Sequence, residues 1–220
     1  KAFEITADEF NKIVNPENGG NFYFTFSLTP TNLSGLGDGG KSLFTWIPCK
    51  VTPWETTDTN SKYTQFFRIF KDANGNAELR LAVGNNAGNV FKELPLKPTM
   101  VVNTTYKFVV EVDPATQDYF VYMSNVDPNE TDATANANNL IYVGEGNIMK
   151  NSAEQLFWKD AVTQGYRFND NATGTWNFAD FKMFRPETVE DEYEGESEAV
   201  KELHVHTPLT DGTAVNKVTY

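Results

Sequence analysis

Glu111 and Asp113 stand one residue apart at the end of a stretch that alternates in period two, so a strand would project both carboxylates to the same side. Two carboxyl groups about 5–5.5 Å apart are what glycoside hydrolysis with retention requires, one as nucleophile and one as acid. Asp113 is followed here by Pro114, Ala115, Thr116 and Gln117, with no further carboxylate in that run. Asp before Pro is equally a turn signature that needs no catalysis. The plainer reading has Glu111 facing solvent and Asp113 opening a turn, and no catalytic residue is assigned.

The remaining chemistry-bearing groups are sparse. His204 and His206 are the only histidines; spaced by two, they face one side of a strand, and as metal ligands they are two short of a tetrahedral set. They also lie too far along the chain for a convincing Ser-His-Asp arrangement. Cys49 is alone, which excludes an internal disulfide, and it falls in a strand pattern with no base nearby in sequence. Asp72-x-Asn74-x-Asn76 sets oxygen ligands at alternate positions, as calcium loops do, yet Gly75 comes too early for the helix-loop-helix form. Hairpin chemistry accounts for each of these residues, and metal ligands remain unknown.

The elements that must position these groups read as strands. Tyr106, Phe108, Val110 and Val112 share one face, Asp113-Pro114 makes a turn, and alternation resumes at Tyr119, Val121 and Met123. A second hairpin pairs Tyr63–Phe70 with Ala77–Val83 through Asn74-Gly75, whose positive φ angles would close a tight turn. Phe22, Phe24, Phe26 and Leu28 line one face of an early strand, with Tyr23, Thr25 and Ser27 on the other. Ser42–Ile47, Val90–Leu94, Leu140–Val143 and Trp176–Phe184 complete the strand set, the last buried on both faces at one end. Two short helices are expected: one from the capping-box spacing Thr6-x-x-Glu9, and one from Asn151 to a stop at Gly165. Ser34–Gly40, Lys50–Lys62 and Asn125–Asn139 read as loops. The glycines of the first cradle no phosphate, because a strand follows rather than a helix.

The chain has 220 residues and a net charge of −12. That deficit of Lys and Arg argues against nucleic acid, whose affinity comes from cations displacing counterions. No run approaches the roughly 20 apolar residues of a helical span, so no insertion into a membrane is expected. Lys1 is not an initiator methionine and no charged-then-apolar leader follows it, so any signal peptide is expected outside this sequence. The acidity is concentrated: residues 186–220 carry nine acids against Lys201 and Lys217, a net −7. Residues 1–185 carry 21 acids and 16 bases, a net −5. The division expected is a main domain over residues 1–186, an acidic linker over 187–199, and a C-terminal hairpin or the start of a neighbouring domain over 200–220. Four Asn-x-Ser/Thr sequons, at Asn32, Asn103, Asn129 and Asn171, match what chance gives in a chain this rich in Asn and Thr.

Taken in order, the Phe-rich first strand, the Asn-Gly hairpin, the run Tyr106-Lys107-Phe108-Val109-Val110-Glu111-Val112-Asp113, the run Tyr119-Phe120-Val121-Tyr122 and the closing strand Trp176–Phe184 before Arg-Pro resemble the concanavalin A-like lectin/glucanase superfamily, in particular its laminin-G-like branch. The likeness covers most of residues 20–185 and leaves out the tail. It implies an all-β fold, an antiparallel two-sheet sandwich or jelly roll, with a concave face or rim loops open to glycan. Retaining glucanases in that superfamily carry Glu-x-Asp-x-x-Glu or Glu-x-Asp-x-Glu, of which Glu111 and Asp113 match only the first two. Its lyases use an Arg-rich strand with a His or Tyr, of which Glu78-Leu79-Arg80 matches a part. Calcium is expected at the level of the superfamily, without chosen ligands; no other cofactor is indicated.

Aromatic side chains then carry the binding expectation. Sugar rings stack their C–H faces on Trp or Tyr while planar polar groups bond the hydroxyls. Trp54 lies in a polar loop beside Glu55, and Trp158 and Tyr166 follow; Trp46 and Trp176 sit within strand patterns and read as core. The sequence is therefore read first as a non-catalytic, extracellular or cell-surface module binding a poly- or oligosaccharide through Trp54, Glu55, Trp158 and Tyr166. The alternatives are a structural or adhesive module that engages neighbouring domains or subunits through its tail, and a glycosidase or lyase.

Overall fold

The computed structural model describes residues 2–6, 20–37, 39–49, 64–83, 90–116, 118–147, 163–168, 174–186 and 214–215. The strands are β1 (Ala2–Thr6), β2 (Phe22–Asn32), β3 (Lys41–Cys49), β4 (Thr64–Lys71), β5 (Ala77–Val83), β6 (Val90–Glu93), β7 (Thr99–Met100), β8 (Tyr106–Val112), β9 (Asp118–Met123), β10 (Leu140–Asn147), β11 (Thr163–Phe168), β12 (Thr175–Phe184) and β13 (Ala214–Val215). One helix, α1, covers Ala133–Asn138. The protein is all-β, a curled sheet in the order β1-β11-β3-β4-β5-β10-β9-β8-β2-β12. The β5–β10 junction is a single parallel bridge, Val83 to Asn147, so the sheet folds over there into two layers.

The interior is built from phenylalanine. Phe26 stacks on its cross-strand partner Phe108 at 5.1 Å and meets Phe44 of the opposite layer edge-on at 5.2 Å. Phe44 in turn stacks on Phe66 at 5.0 Å. Wide rings are what a gap of about 10 Å between layers requires. Leu43, Phe44, Phe66 and Phe67 are all buried although they are neighbours in pairs, which strict alternation forbids. Register shifts explain it: the β3–β4 register passes over Leu43 on β3 and Phe66 on β4, so each bulge turns two successive side chains inward.

Tyr119 joins the layers. Its hydroxyl lies 2.8 Å from the carbonyl oxygens of both Phe66 and Ala82, and burial pushes its phenol well above the ordinary value. Gly146 makes room for it, since a Cβ there would sit 2.4 Å from the Tyr119 hydroxyl and 2.3 Å from the Ala82 oxygen.

Several sequence expectations are corrected. Thr6 ends a strand that pairs with β11 instead of capping a helix; the rest of that expected helix lies outside the described residues. Gly165 lies inside β11 and terminates no helix there. The Asn125–Asn139 stretch contains α1, which has no buried residue and is held by caps: Asp132 accepts from Thr134 N at 2.8 Å and Ala135 N at 3.3 Å. In the β4–β5 hairpin only Gly75 has positive φ (82°); the turn is closed by Asp72, whose carboxylate accepts from Asn74 N and Asn76 N, both at 2.8 Å. The acidic stretch 187–199 lies outside the described residues, as does the C-terminal hairpin apart from Ala214–Val215.

Candidate functional site

Expectation and structure part most sharply at Glu111. It does not face solvent: it is 4% exposed, on the outer face of β8, and accepts from Tyr23 Oη at 3.0 Å and Asn21 Nδ2 at 2.5 Å. Tyr23 is its register partner on β2, Phe184 stacks on the Tyr23 ring at 5.6 Å, and Tyr122 packs beside Tyr142 at 5.7 Å. Burial, then the Glu111 charge, then its hydrogen bond raise the Tyr23 phenol; burial and the same charge raise Tyr122. Asp113, as expected, opens a turn, its carboxylate accepting from Ala115 N at 2.7 Å and Thr116 N at 3.2 Å. The two carboxylates thus serve separate local tasks.

Arg80 is similarly engaged. It pairs with Glu78 at 2.8 Å and lies over the Phe70 ring at 4.1 Å, while its register partner Arg68 lies over Phe91 at 4.2 Å. This is a charge and ring ladder on the outer face of β4-β5-β6, stabilised by cation–π contacts. The Asp72 carboxylate closes its own hairpin by accepting from Asn74 and Asn76, and among the described residues no three His, Cys, Asp or Glu side chains group to hold a metal.

A cavity does open on the outer face, one row along from Tyr23. In β12, Ala179 opposes Ser27 and Lys182 opposes Thr25, so Asp180 and Phe181 together face Phe26 alone. Asp180 takes the extra position at φ +56°. The bulge keeps Trp176, Phe178, Phe181 and Met183 on the core while Asp180 and Lys182 go outward. The space left is about 220 Å³, lined among the described residues by Thr25, Phe26, Ser27, Lys107, Phe108, Asp180 and Lys182. Ser27 Oγ donates to Asp180 Oδ2 at 3.3 Å, and Asn138 of α1 accepts from Lys107 Nζ at 2.9 Å.

Of the expected ligands, Trp54, Glu55 and Trp158 lie outside the described residues. The backbone of Tyr166 lies in β11, opposite Trp46 of β3 and Phe3 of β1. Trp176 is half-buried against the core, as its strand pattern implied. The cavity residues were not singled out from sequence, although a signal existed. Unbroken alternation would seat Asp180 and Lys182 on the same face as Trp176 and Phe178, a mixture that only a bulge resolves.

No family model matches the chain, and no curated protein matches it. Among solved structures it is similar to the catalytic domain of the glycoside hydrolase family 131 protein from Coprinopsis cinerea, at 13% identity and a TM-score of 0.35, over 76% of this chain and 57% of that one. The enzymatically active domain of bacteriophage CBA120 tailspike protein 2 matches at 11% and 0.40, over 74% of this chain and 22% of that one. The CBM40 of Ruminococcus gnavus IT-sialidase matches at 10% and 0.38, over 87% and 94%. Likeness at this distance carries no argument about chemistry, which rests on the residues alone.

Proposed function

We propose that this chain is a non-catalytic carbohydrate-binding module of an extracellular or cell-surface protein, built on a concanavalin A-like jelly roll, and that it seats a sugar ring in the cavity beside the β12 bulge. The observation that carries this reading is Asp180, a non-glycine residue at φ +56° whose carboxylate borders a cavity. Such backbone costs about 1–3 kcal/mol, persists where surrounding structure imposes it, and clusters at ligand clamps. The lining offers what sugar hydroxyls bond: the Thr25 and Ser27 hydroxyls, the Lys107 and Lys182 ammonium groups, and one carboxylate. At about 220 Å³ the cavity is smaller than the roughly 300–1,000 Å³ of drug-sized sites, which suits one ring and not a long segment. Only one carboxylate lines it among the described residues, and that carboxylate accepts from Ser27. Hydrolysis by paired carboxylates needs two.

The test is a polysaccharide panel read by affinity electrophoresis and, in parallel, by release of reducing ends. Retardation by at least one glycan without product supports the reading. Product release overturns its non-catalytic half, and no retardation on any glycan overturns it altogether. Trp54, Glu55, Trp158 and Tyr166 form the rival contact set, and their alanine variants belong in the same panel.

A second reading has its own observation. Ala214 and Val215 pair antiparallel with Ile141 and Leu140 at the margin of β10, so the tail adds a strand to the sheet. Strand addition is a general route to assembly, and it favours an adhesive or structural role through the tail.

A further inference from the structure

Resting on the carbohydrate reading above, the geometry points to a specific class of ligand for the β12 cavity: a sugar ring bearing one anionic substituent, a carboxylate or a sulfate ester. The charge of the lining is the argument. The chain as a whole is strongly acidic at −12, yet Lys107 and Lys182 converge on this cavity against the single carboxylate of Asp180. The excess of cations over the single carboxylate in the lining raises the concentration of anions at the cavity, partly offset by repulsion from Asp180.

The three charges are not equivalent. Asp180 accepts from Ser27 Oγ at 3.3 Å, which fixes the carboxylate on the β2 side of the bulge. Lys107 donates to the Asn138 side chain at 2.9 Å, so α1 tethers its ammonium group beside the sheet. Lys182 has no ion-pair or hydrogen-bond partner for its ammonium group among the described residues, although a carboxylate sits two residues away on its own strand. The lining therefore holds one cation positioned by a neutral amide and one uncommitted cation. An ammonium group is a compact charge that suits a monoanionic substituent without demanding the bidentate geometry of a guanidinium. The remaining lining groups, Thr25, Ser27 and Asp180, are left to bond the ring hydroxyls. In this arrangement Lys182 meets the anion and Asn138 acts as a positioning residue through Lys107.

The experiment is calorimetric titration of the full chain with four probes: an oligogalacturonate, the matching neutral oligogalactoside, a glucuronate-containing oligosaccharide, and a sulfated oligogalactoside. Tighter binding of a charged probe than of its neutral counterpart, by roughly tenfold or more and weakening with added salt, is expected from a charge-assisted hydrogen bond. Lys182→Ala should bring the affinity for a charged probe down to that for its neutral counterpart, while Lys182→Arg should restore part of the difference; circular dichroism melting confirms that each variant is folded. Preference for the carboxylated probes identifies a sugar acid, and preference for the sulfated probe identifies a sulfate ester; either supports the inference. Equal affinity for charged and neutral probes overturns it while leaving the carbohydrate reading intact. No binding of any of the four, when the polysaccharide panel retards the chain, also overturns it. No binding in either assay overturns both.

Discussion

Ser27 faces the bulge of β12 and donates its hydroxyl to Asp180 at 3.3 Å, tying the one extra residue of that strand to the neighbouring strand. The consequence is a division of β12 into aromatic residues that go inward and charged residues that go outward on the cavity side. Glycine is the residue that takes positive φ without steric cost, so an aspartate there is retained at a penalty. Asp180→Gly should leave stability unchanged or raise it by up to about 1 kcal/mol, the relieved strain being partly offset by the freer unfolded chain. The same variant should lose glycan binding. Denaturant unfolding and the polysaccharide panel read the two effects separately; lost binding with markedly lower stability would assign Asp180 to the fold instead.

Tyr119→Phe removes the hydroxyl that bridges the Phe66 and Ala82 carbonyl groups and should cost about 1–3 kcal/mol. Gly146→Ala acts on the same junction by overlap, and its midpoint in urea should fall further than that of Tyr119→Phe because the obstructing atoms include backbone. A smaller loss would mean that β5 and β10 can separate without cost.

The strands around these residues were legible because their period-two patterns are long: Phe22, Phe24, Phe26 and Leu28, and Tyr106, Phe108, Val110 and Val112, enter the main core, while Tyr23 and Val109 pack on the other face. What alternation cannot display is a change of phase. The paired burials Leu43–Phe44 and Phe66–Phe67, and the outward turn of Asp180, all come from bulges that depend on the partner strand. Glu111 was misread for a related reason: a charged side chain on an alternating strand reads as solvent-facing, and its burial depends on Tyr23 and Asn21, 88 and 90 residues away. Helix α1 carries no apolar stripe, so its caps were the only signal.

Alkaline solution should destabilise the protein steeply. Burial raises the phenols of Tyr23, Tyr106, Tyr119, Tyr122 and Tyr142 above their ordinary value of 10.0, with the Glu111 charge adding to Tyr23 and Tyr122. A group whose folded pKa is raised contributes stability that is complete below its unfolded value and is lost as pH climbs toward the folded one. The loss should therefore begin near pH 10 and grow above it. Tyr23→Phe should flatten the slope of unfolding free energy against pH in that range; an unchanged slope would remove Tyr23 from the account.

Truncation after residue 186 tests the tail. If the pairing of Ala214–Val215 with β10 supports assembly, light scattering should show a larger species for the full chain than for the truncated one. The same monomeric mass before and after would rule out that role.

The most direct measurement is the set of backbone amide shifts that move when the chain is titrated with a polysaccharide that retards it. Shifts concentrated on Thr25, Ser27, Lys107, Asp180 and Lys182 are the predicted result. Shifts confined to residues 50–63 and 148–162, with the β12 bulge unmoved, would contradict the assignment of the cavity and return the binding site to Trp54 and Trp158.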